Sequence, residues 1–250
     1  MKSIVVANWK MNPASFKEAK KLFEATKKVA EKSPNVSLVV APPAVYLREL
    51  SAAYRGKRIA FAAQNAHAEA GGAHTGEISL RQAHDAGASY ALIGHSERRA
   101  AGETNEDTRK KVPAAISAKM TPILCVGEEQ RTAAGGHFSF VREQLRAGFT
   151  DVPAPRVSRV IVAYEPVWAI GGEVAMRPHD MHEMAIFIRK TIVDLCGEAG
   201  HAVRVLYGGA ANEENAPAIL RGSHVKGLLV GHVSIDAERF AALLQAVNNV

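Results

Sequence analysis

Apolar residues are arranged along the chain in eight short, nearly continuous runs, separated by longer stretches in which apolar positions recur every three or four residues. Nearly continuous runs are typical of parallel β-strands that are buried on both faces, and the amphipathic stretches between them predict crossover helices. The predicted strands are residues 4–8, 37–41, 59–64, 90–94, 121–126, 160–164, 203–207 and 227–231. The predicted helices are residues 15–32, 44–54, 106–119, 138–149, 178–196, 212–220 and 236–247.

This alternation predicts an α/β protein, and eight such units in 250 residues fit a closed (β/α)8 barrel, the TIM-barrel architecture. An open, doubly wound sheet would normally carry a glycine-rich fingerprint after its first strand. Residues 8–12 instead read Asn-Trp-Lys-Met-Asn, so the closed barrel is favoured. No linker, repeat or low-complexity tract divides the chain, and we therefore expect residues 1–250 to form a single domain.

Composition places the chain among ordinary globular proteins and narrows its partners. Apolar residues make up 47% and charged residues 22%, which excludes disorder for most of the chain. The formal net charge of +6 is a modest excess that helps to attract a small anion. A nucleic-acid partner would need a basic stripe with interleaved aromatic residues, and none is visible in the sequence.

The cysteines and the hydropathy pattern bear on where the protein works. Two cysteines, Cys125 and Cys196, cannot form a disulfide framework, and Cys125 lies in a predicted strand as a small core residue. The apolar run near residue 4 is too short for a signal peptide, and no stretch approaches the length that spans a bilayer. We expect a cytoplasmic protein with no membrane partner.

Four polar residues of complementary chemistry follow predicted strands, at the end where barrel active sites lie. Asn8 and Lys10 follow the first strand, His95 the fourth and Glu165 the sixth. Pro166 has a fixed φ and no backbone donor, so the sixth strand must stop and hold Glu165 at its mouth. Each residue alone fits an ordinary loop. A carboxylate after a buried strand is costly without a partner or a role, and four such residues at one rim indicate an active site.

The chemistry of these side chains suits proton abstraction beside a carbonyl group. Ser96 is predicted to be the N-cap of a short helix, whose dipole favours the neutral imidazole of His95. Neutral imidazole can donate to a carbonyl oxygen, Glu165 supplies a base, and Lys10 supplies positive charge for an oxyanion. No cluster has metal-ligand spacing, and Ser96 lacks the context of a nucleophile elbow. We expect an enediolate reaction with no metal ion and no cofactor.

Glycine-rich turns predict where the other end of the substrate binds. Residues 207–210 read Tyr-Gly-Gly-Ala after the seventh strand, and residues 230–232 read Val-Gly-His after the eighth. Barrels often bind phosphate through backbone N–H groups at these two turns, although each turn alone could be a simple strand-to-helix connection. Because a further glycine converges on the same corner, we expect a phosphate site formed by Asn8, Lys10, Gly171, Ala210, Gly231 and His232.

Five motifs follow one another along the chain in a characteristic order. They are Asn-Trp-Lys-Met-Asn at 8–12, Gly-His-Ser-Glu-Arg-Arg at 94–99, Cys-Val-Gly-Glu at 125–128, Ala-Tyr-Glu-Pro-Val-Trp-Ala-Ile-Gly at 163–171 and Tyr-Gly-Gly at 207–209. Together they resemble the triosephosphate isomerase family over essentially the whole chain. The resemblance implies that Glu165 moves a proton between two substrate carbons and His95 between their oxygens, while Lys10, beside Asn8, stabilises the enediolate and the phosphate.

The resemblance also implies supporting roles and a partner. Glu97 would hold Lys10, Ser96 would hold Glu165 while the lid is open, and Ile170 and Tyr207 would belong to the lid and its latch. The family is usually dimeric, with a loop that enters the neighbouring subunit. Residues 72–78 match that loop, and a simple surface excursion is the less favoured alternative. Its central residues are Thr75, Gly76 and Glu77.

The chain departs from the family pattern around the lid and the phosphate. Residues 170–174 read Ile-Gly-Gly-Glu-Val where the family usually has Ile-Gly-Thr-Gly-Lys. Ala210 replaces a serine whose hydroxyl helps to latch the lid, and His232 replaces a glycine. The usual aromatic residue near Arg99 is also missing, because the chain continues with Ala100 and Ala101. We therefore expect a lid that closes less readily than in relatives with the usual sequence.

These observations support three hypotheses. The first is a cofactor-independent enzyme that interconverts dihydroxyacetone phosphate and D-glyceraldehyde 3-phosphate in glycolysis and gluconeogenesis. The second is an isomerase for a slightly longer ketose phosphate, such as a tetrulose phosphate, admitted by the altered lid. The third is a barrel that keeps the fold and ligand binding but acts as a scaffold. The complete set of Asn8, Lys10, His95 and Glu165 argues against the third.

Overall fold

Eight parallel strands close into a barrel in the computed structural model, which confirms the predicted (β/α)8 architecture. Each strand pairs with the next one along the chain, and β1 also pairs with β8. The structure describes residues 2–131, 134–170 and 176–250. The strands are β1 (Ser3–Asn8), β2 (Val36–Ala41), β3 (Ile59–Ala63), β4 (Tyr90–Ile93), β5 (Thr121–Val126), β6 (Ile161–Tyr164), β7 (Arg204–Tyr207) and β8 (Gly227–Val230).

Helices connect the strands and pack against their neighbours around the outside of the barrel. Among the helices in the described residues, none is long and apolar enough to cross a membrane. The α-helices are α1 (Phe16–Glu31), α2 (Ala44–Ala53), α3 (Leu80–Asp85), α4 (Ser96–Ala100), α5 (Asn105–Ser117), α6 (Gly136–Phe149), α7 (Pro178–Cys196), α8 (Ala216–Gly222) and α9 (Ala237–Asn248). Short 3-10 helices cover Ala154–Arg159, Val167–Ala169, Gly197–Ala202 and His232–Ile235.

The predicted strands and helices agree with the structure except at two helices. Helix α3 was not predicted, because its 6 residues are too few to show a helical period; a capping box between Ser79 and Gln82 starts it. Helix α8 begins at Ala216, later than the predicted start at Asn212. The side chain of Asn212 accepts hydrogen bonds from the backbone of Glu214 and Asn215, which forms a turn in place of the first helical residues.

The apolar core has two layers, one inside the barrel and one between the barrel and the helices. Alternate residues of each strand point to the two layers: Val6 packs inside the barrel, whereas Val5 packs against the helices. Cys125 lies in the inner layer and is fully buried, as predicted. Burial raises the pKa of its thiol, and the negative charge of Glu165 raises it further, so Cys125 is a core thiol and not a nucleophile.

The two ends of the described chain are joined by structure. Strand β1 pairs with β8, and helix α1 packs against α9. Asn35 also makes two hydrogen bonds to Asn248, one from its backbone N–H and one from its side chain, at 2.9 and 3.0 Å. We propose that residues 1–250 fold as one domain, because neither half of a closed barrel can satisfy its strand edges alone.

A fold prediction concerns Gly127, which follows β5. A Cβ at this position would lie 1.7 Å from the carbonyl oxygen of Glu165, so the two backbones pack too closely for any side chain. We expect Gly127→Ala to lower the free energy of unfolding by about 1–3 kcal/mol or more and to disturb the end of β6. The measurement is the urea midpoint of unfolding.

Gly222→Ala is the matched control. Gly222 lies in α8, and a Cβ there would meet only the Cβ of Pro178, at 3.4 Å, an ordinary contact. Alanine also favours a helix more than glycine does, so this variant should keep or raise the midpoint. Equal midpoints for the two variants would contradict the close approach of residues 127 and 165.

Candidate active site

The turn after β1 brings Asn8 and Lys10 to the barrel mouth in a fixed geometry. Lys10 has a φ of 53°, and its backbone N–H donates to Asn8 Oδ1 at 3.0 Å. Its carbonyl oxygen accepts a hydrogen bond from Gln64 Nε2 at 2.9 Å, and Gln64 also donates to the end of β2. The ammonium group of Lys10 lies 2.6 Å from Glu97 Oε1. The left-handed backbone of Lys10 is therefore held by hydrogen bonds at both its N–H and its carbonyl group.

His95 is the N-cap of α4, which corrects the prediction that Ser96 is the cap. Its Nδ1 accepts a hydrogen bond from the backbone N–H of Glu97 at 3.2 Å. A histidine ring can cap a helix in this way because Nδ1 is an acceptor when it carries no proton. The neutral ring therefore has its hydrogen on Nε2. The amide of Asn8 lies 3.3 Å from Nε2, so two donors stand side by side where one substrate oxygen can accept from both.

Glu165 follows β6 with its side chain almost fully buried, at 2% residue exposure. One carboxylate oxygen accepts a hydrogen bond from the backbone N–H of Ser96 at 2.9 Å, and the other lies 3.1 Å from His95 Nε2. The N-terminus of α4 thus holds the carboxylate through Ser96 and orients the imidazole through His95. Gly208 packs against the side chain, because a Cβ there would lie 2.8 Å from Glu165 Cγ.

A second buried carboxylate, Glu128, holds the segment that follows Glu165. It accepts hydrogen bonds from the Tyr164 hydroxyl at 2.8 and 3.0 Å and from the Trp168 indole at 2.9 Å. Arg131 Nε donates to it at 3.2 Å, and its guanidinium group lies over the Trp168 ring. Burial, and then the charge of Glu128, raises the pKa of Tyr164, so its hydroxyl stays protonated as a donor. Glu128 ends one of the five sequence motifs, but neither its role nor that of Arg131 could be predicted, because both depend on the fold.

One cavity of about 580 Å³ opens at the carboxyl ends of the strands and joins the catalytic candidates to the predicted phosphate turns. Ile170 lines this cavity, and the lid residues Gly171 to Val174 lie outside the described residues. Where the description resumes, the backbone N–H of Met176 donates to the hydroxyl of Tyr207 at 3.2 Å. The predicted residues that line the cavity are Asn8, Lys10, His95, Glu165, Ile170, Ala210, Gly231 and His232.

Several lining residues were not predicted. Asn212 and Leu229 belong to the turn after β7 and to β8, whereas Gly208 and Gly209 lie within the glycine-rich turn that was predicted to bind the phosphate. Arg239 is different, since it comes from α9 and reaches the cavity only through the packing of that helix. A charged residue early in an amphipathic helix is normally solvent-exposed, so no pattern in the sequence identified it.

The predicted dimer loop lies between β3 and α3. Its central residues Thr75, Gly76 and Glu77 are exposed and are not among the described residues that line the cavity of their own chain. Gly76 has a φ of 91°, which favours glycine, and a hydrogen bond from His67 N–H to the Ile78 carbonyl at 2.8 Å closes the base of the loop. The loop is therefore a defined projection from the barrel.

The arrangement has the parts needed for proton transfer at a carbon beside a carbonyl group. A carboxylate can take a proton, an adjacent imidazole N–H and an amide can donate to the oxygen, and an ammonium group supplies positive charge. Among the described residues, no group of three or more histidine, cysteine, aspartate or glutamate side chains has the arrangement of a metal site.

Comparisons with known proteins agree with this geometry. A family model described as triosephosphate isomerase matches residues 3–247. Proteins named triosephosphate isomerase include one from Lawsonia intracellularis, which is 40% identical over 250 residues, and one from Endomicrobium trichonymphae, which is 39% identical over 246 residues; each match covers 98% of both chains. The protein of that name from Aquifex aeolicus is 36% identical over 246 residues, covering 98% of this chain and 99% of its own. The chain belongs to the triosephosphate isomerase family.

Proposed function

We propose that Glu165, His95, Lys10 and Asn8 carry out the reaction of this family, the interconversion of dihydroxyacetone phosphate and D-glyceraldehyde 3-phosphate, which serves glycolysis and gluconeogenesis. The observation that carries the assignment is the distance of 3.1 Å between Glu165 and His95 Nε2 at the wall of a cavity that Lys10 also lines. A base and an acid placed this close can act on a carbon and its oxygen in one substrate.

The proposed reaction moves two protons and leaves the composition of the substrate unchanged. Glu165 takes a proton from the carbon beside the carbonyl group, and the electrons of that C–H bond form the double bond of the enediolate. His95 donates its Nε2 hydrogen to the carbonyl oxygen and recovers a hydrogen from the neighbouring hydroxyl. Glu165 then returns the proton to the adjacent carbon, which completes the conversion.

Lys10 and Asn8 stabilise charge in this proposal. The ammonium group of Lys10 faces the developing oxyanion and the substrate phosphate, while Glu97, at 2.6 Å, fixes its position. Asn8 donates beside His95 Nε2, and its orientation is set because its oxygen already accepts from the Lys10 backbone. Ser96 holds Glu165 in the arrangement without substrate, and closure of the lid would release the carboxylate toward the substrate.

We also propose a cytoplasmic homodimer. The projecting loop supports the dimer, and so do apolar side chains left exposed on the single chain: Met11 is 93% and Val45 is 77% exposed. Thr75 of one subunit would then approach Asn8 of the other. The cytoplasmic location rests on the part that the family's reaction has in glycolysis.

The first prediction concerns the base. Glu165→Gln fills nearly the same volume but cannot take a proton, so we expect kcat to fall by about 10²–10⁴-fold. Binding of an enediolate-analogue inhibitor and the far-ultraviolet circular dichroism spectrum should stay close to those of the parent. The measurement is a coupled assay with both triose phosphates, and kcat within threefold of the parent would remove Glu165 from the role of base.

A second prediction concerns the cation. Lys10→Met removes a charge that faces the anionic substrate in the ground state and the transition state, so we expect both higher KM and lower kcat. Lys27→Met is a matched control, because Lys27 has the same side-chain exposure, 29%, and also pairs with a glutamate, at 2.7 Å. The kinetic constants of the two variants are compared. An unchanged inhibitor affinity in Lys10→Met would contradict its place in the site.

The dimer generates a third prediction. Replacing residues 70–78 by a short glycine-containing turn should give a monomer with weak activity, because Asn8 and Lys10 would lose the neighbouring loop. Light scattering gives the mass, and the same sample gives kcat/KM. A shortened protein that remains dimeric would show that this loop does not form the interface.

A further inference from the structure

Arg239 brings a second permanent positive charge to the active-site cavity. It lies in the first turn of α9, whose N-cap is Asp236, and it lines the same cavity as Lys10 and Glu165. Among the described residues of the cavity wall, Lys10 and Arg239 are the two that are cationic at any physiological pH. The family resemblance gives a role to Lys10 and none to Arg239.

A fork-shaped ion pair fixes the Arg239 guanidinium group. Its Nε donates to Glu213 Oε1 at 2.9 Å, and its Nη2 donates to Glu213 Oε2 at 3.3 Å. Glu213 lies on the turn after β7 and Arg239 lies on the helix after β8, so the pair joins the two segments that carry the predicted phosphate turns. Within the described part of the chain, Nη1 makes no hydrogen bond, which leaves one edge of the guanidinium group available to an anion.

Among the described residues, the phosphate corner offers few side-chain donors to an anion beside the backbone N–H groups of its turns. Ala210 has no hydroxyl to donate, and Lys10 is already paired with Glu97 at 2.6 Å. A phosphate dianion brings two negative charges, and Glu165 adds a third to the same cavity. A guanidinium group matches phosphate in charge and in hydrogen-bond geometry, and one that is already oriented loses less side-chain freedom on binding.

We propose that Arg239 is a specificity-determining residue for the phosphate end of the substrate. Glu213 orients the guanidinium group, and the free Nη1 edge attracts the phosphate and raises the affinity for it. The proposal rests on the proposed function for the identity of the substrate. It differs from that function in concerning ground-state binding of the anionic end, and not the proton transfer.

The alternative is that the ion pair only braces α9 against the turn after β7. The two accounts predict different changes in phosphate affinity when Arg239 and Glu213 are replaced one at a time. If the pair is only a brace, Arg239→Gln and Glu213→Gln both weaken the corner and change phosphate affinity in the same direction. If Arg239 attracts the phosphate, Arg239→Gln loses affinity. Glu213→Gln gains affinity, because it removes a nearby negative charge while its amide oxygen still accepts from the guanidinium group and keeps it oriented.

The experiment measures the affinity for inorganic phosphate by calorimetry, together with KM and kcat for dihydroxyacetone phosphate. Arg239→Gln should raise the phosphate Kd and KM by about 3–10-fold and change kcat by less than about twofold. Glu213→Gln should lower the phosphate Kd by about 2–3-fold. Arg109→Gln is the matched control: Arg109 is 44% exposed and pairs with Asp151 at 2.7 Å, against 43% exposure and 2.9 Å for Arg239. It removes the same charge and should leave both constants unchanged.

Two results would overturn the proposal: an equal effect of Arg239→Gln and Arg109→Gln, or weaker phosphate binding in both Arg239→Gln and Glu213→Gln. If Arg239→Gln does not fold, Glu213→Gln alone decides, because tighter phosphate binding supports the proposal and weaker binding supports a brace only. Failure of the proposed function would look different. A parent protein without isomerase activity would still give a phosphate Kd, so calorimetry tests Arg239 independently of turnover.

Discussion

The buried carboxylate of Glu165 is the interaction on which the arrangement of the site depends. Burial of an isolated charge costs several kcal/mol, and a hydrogen bond to a charged group returns about 1.5–3 kcal/mol. The N–H of Ser96, at 2.9 Å, makes such a bond, and the imidazole of His95 lies against the other oxygen. The site can hold this charge only if α4 begins where it does and if Gly127 and Gly208 leave room around residue 165.

Helix α4 is itself held by charged side chains from α4, from the loop that follows it and from α5. Arg99 Nε donates to the Gly94 carbonyl at 2.8 Å, and its Nη2 donates to the Cys125 carbonyl at 3.3 Å. Glu103 accepts from the Gly94 N–H at 3.3 Å and from Lys111 at 2.9 Å. These contacts fix the turn that carries His95 relative to β5. His95 and Glu165 follow different strands, and they are therefore held in a fixed relative position.

The sequence was sufficient for the parts of the structure that repeat or that follow strand ends. Eight apolar runs predicted the closed barrel, and the rim positions after β1, β4 and β6 predicted that Asn8, Lys10, His95 and Glu165 would come together. The sequence was less informative about which of two adjacent side chains caps a helix. His95 took the cap assigned to Ser96, since a neutral ring nitrogen accepts as well as a hydroxyl does.

The sequence could not predict contacts between residues that are far apart along the chain. Glu128 holds Trp168 across a separation of 40 residues, and Arg239 reaches the cavity from a helix whose pattern indicates only amphipathicity. Nothing local in either segment identifies its partner. The lid from Gly171 to Val174 lies outside the described residues, so the weakened closure predicted from Ala210 and from that sequence stays a prediction.

The central claim is that the carboxylate of Glu165 takes a proton from one carbon of the substrate and returns a proton to the next, and a proton held on a carboxylate can exchange with water in between. The direct measurement is isomerisation of dihydroxyacetone phosphate in heavy water, with the product trapped as it forms and examined by nuclear magnetic resonance. The account predicts that a measurable share of the product carries solvent deuterium on the carbon that gains the hydrogen. A product that keeps the original hydrogen and carries no solvent deuterium would indicate a hydride shift and would contradict the assignment of Glu165.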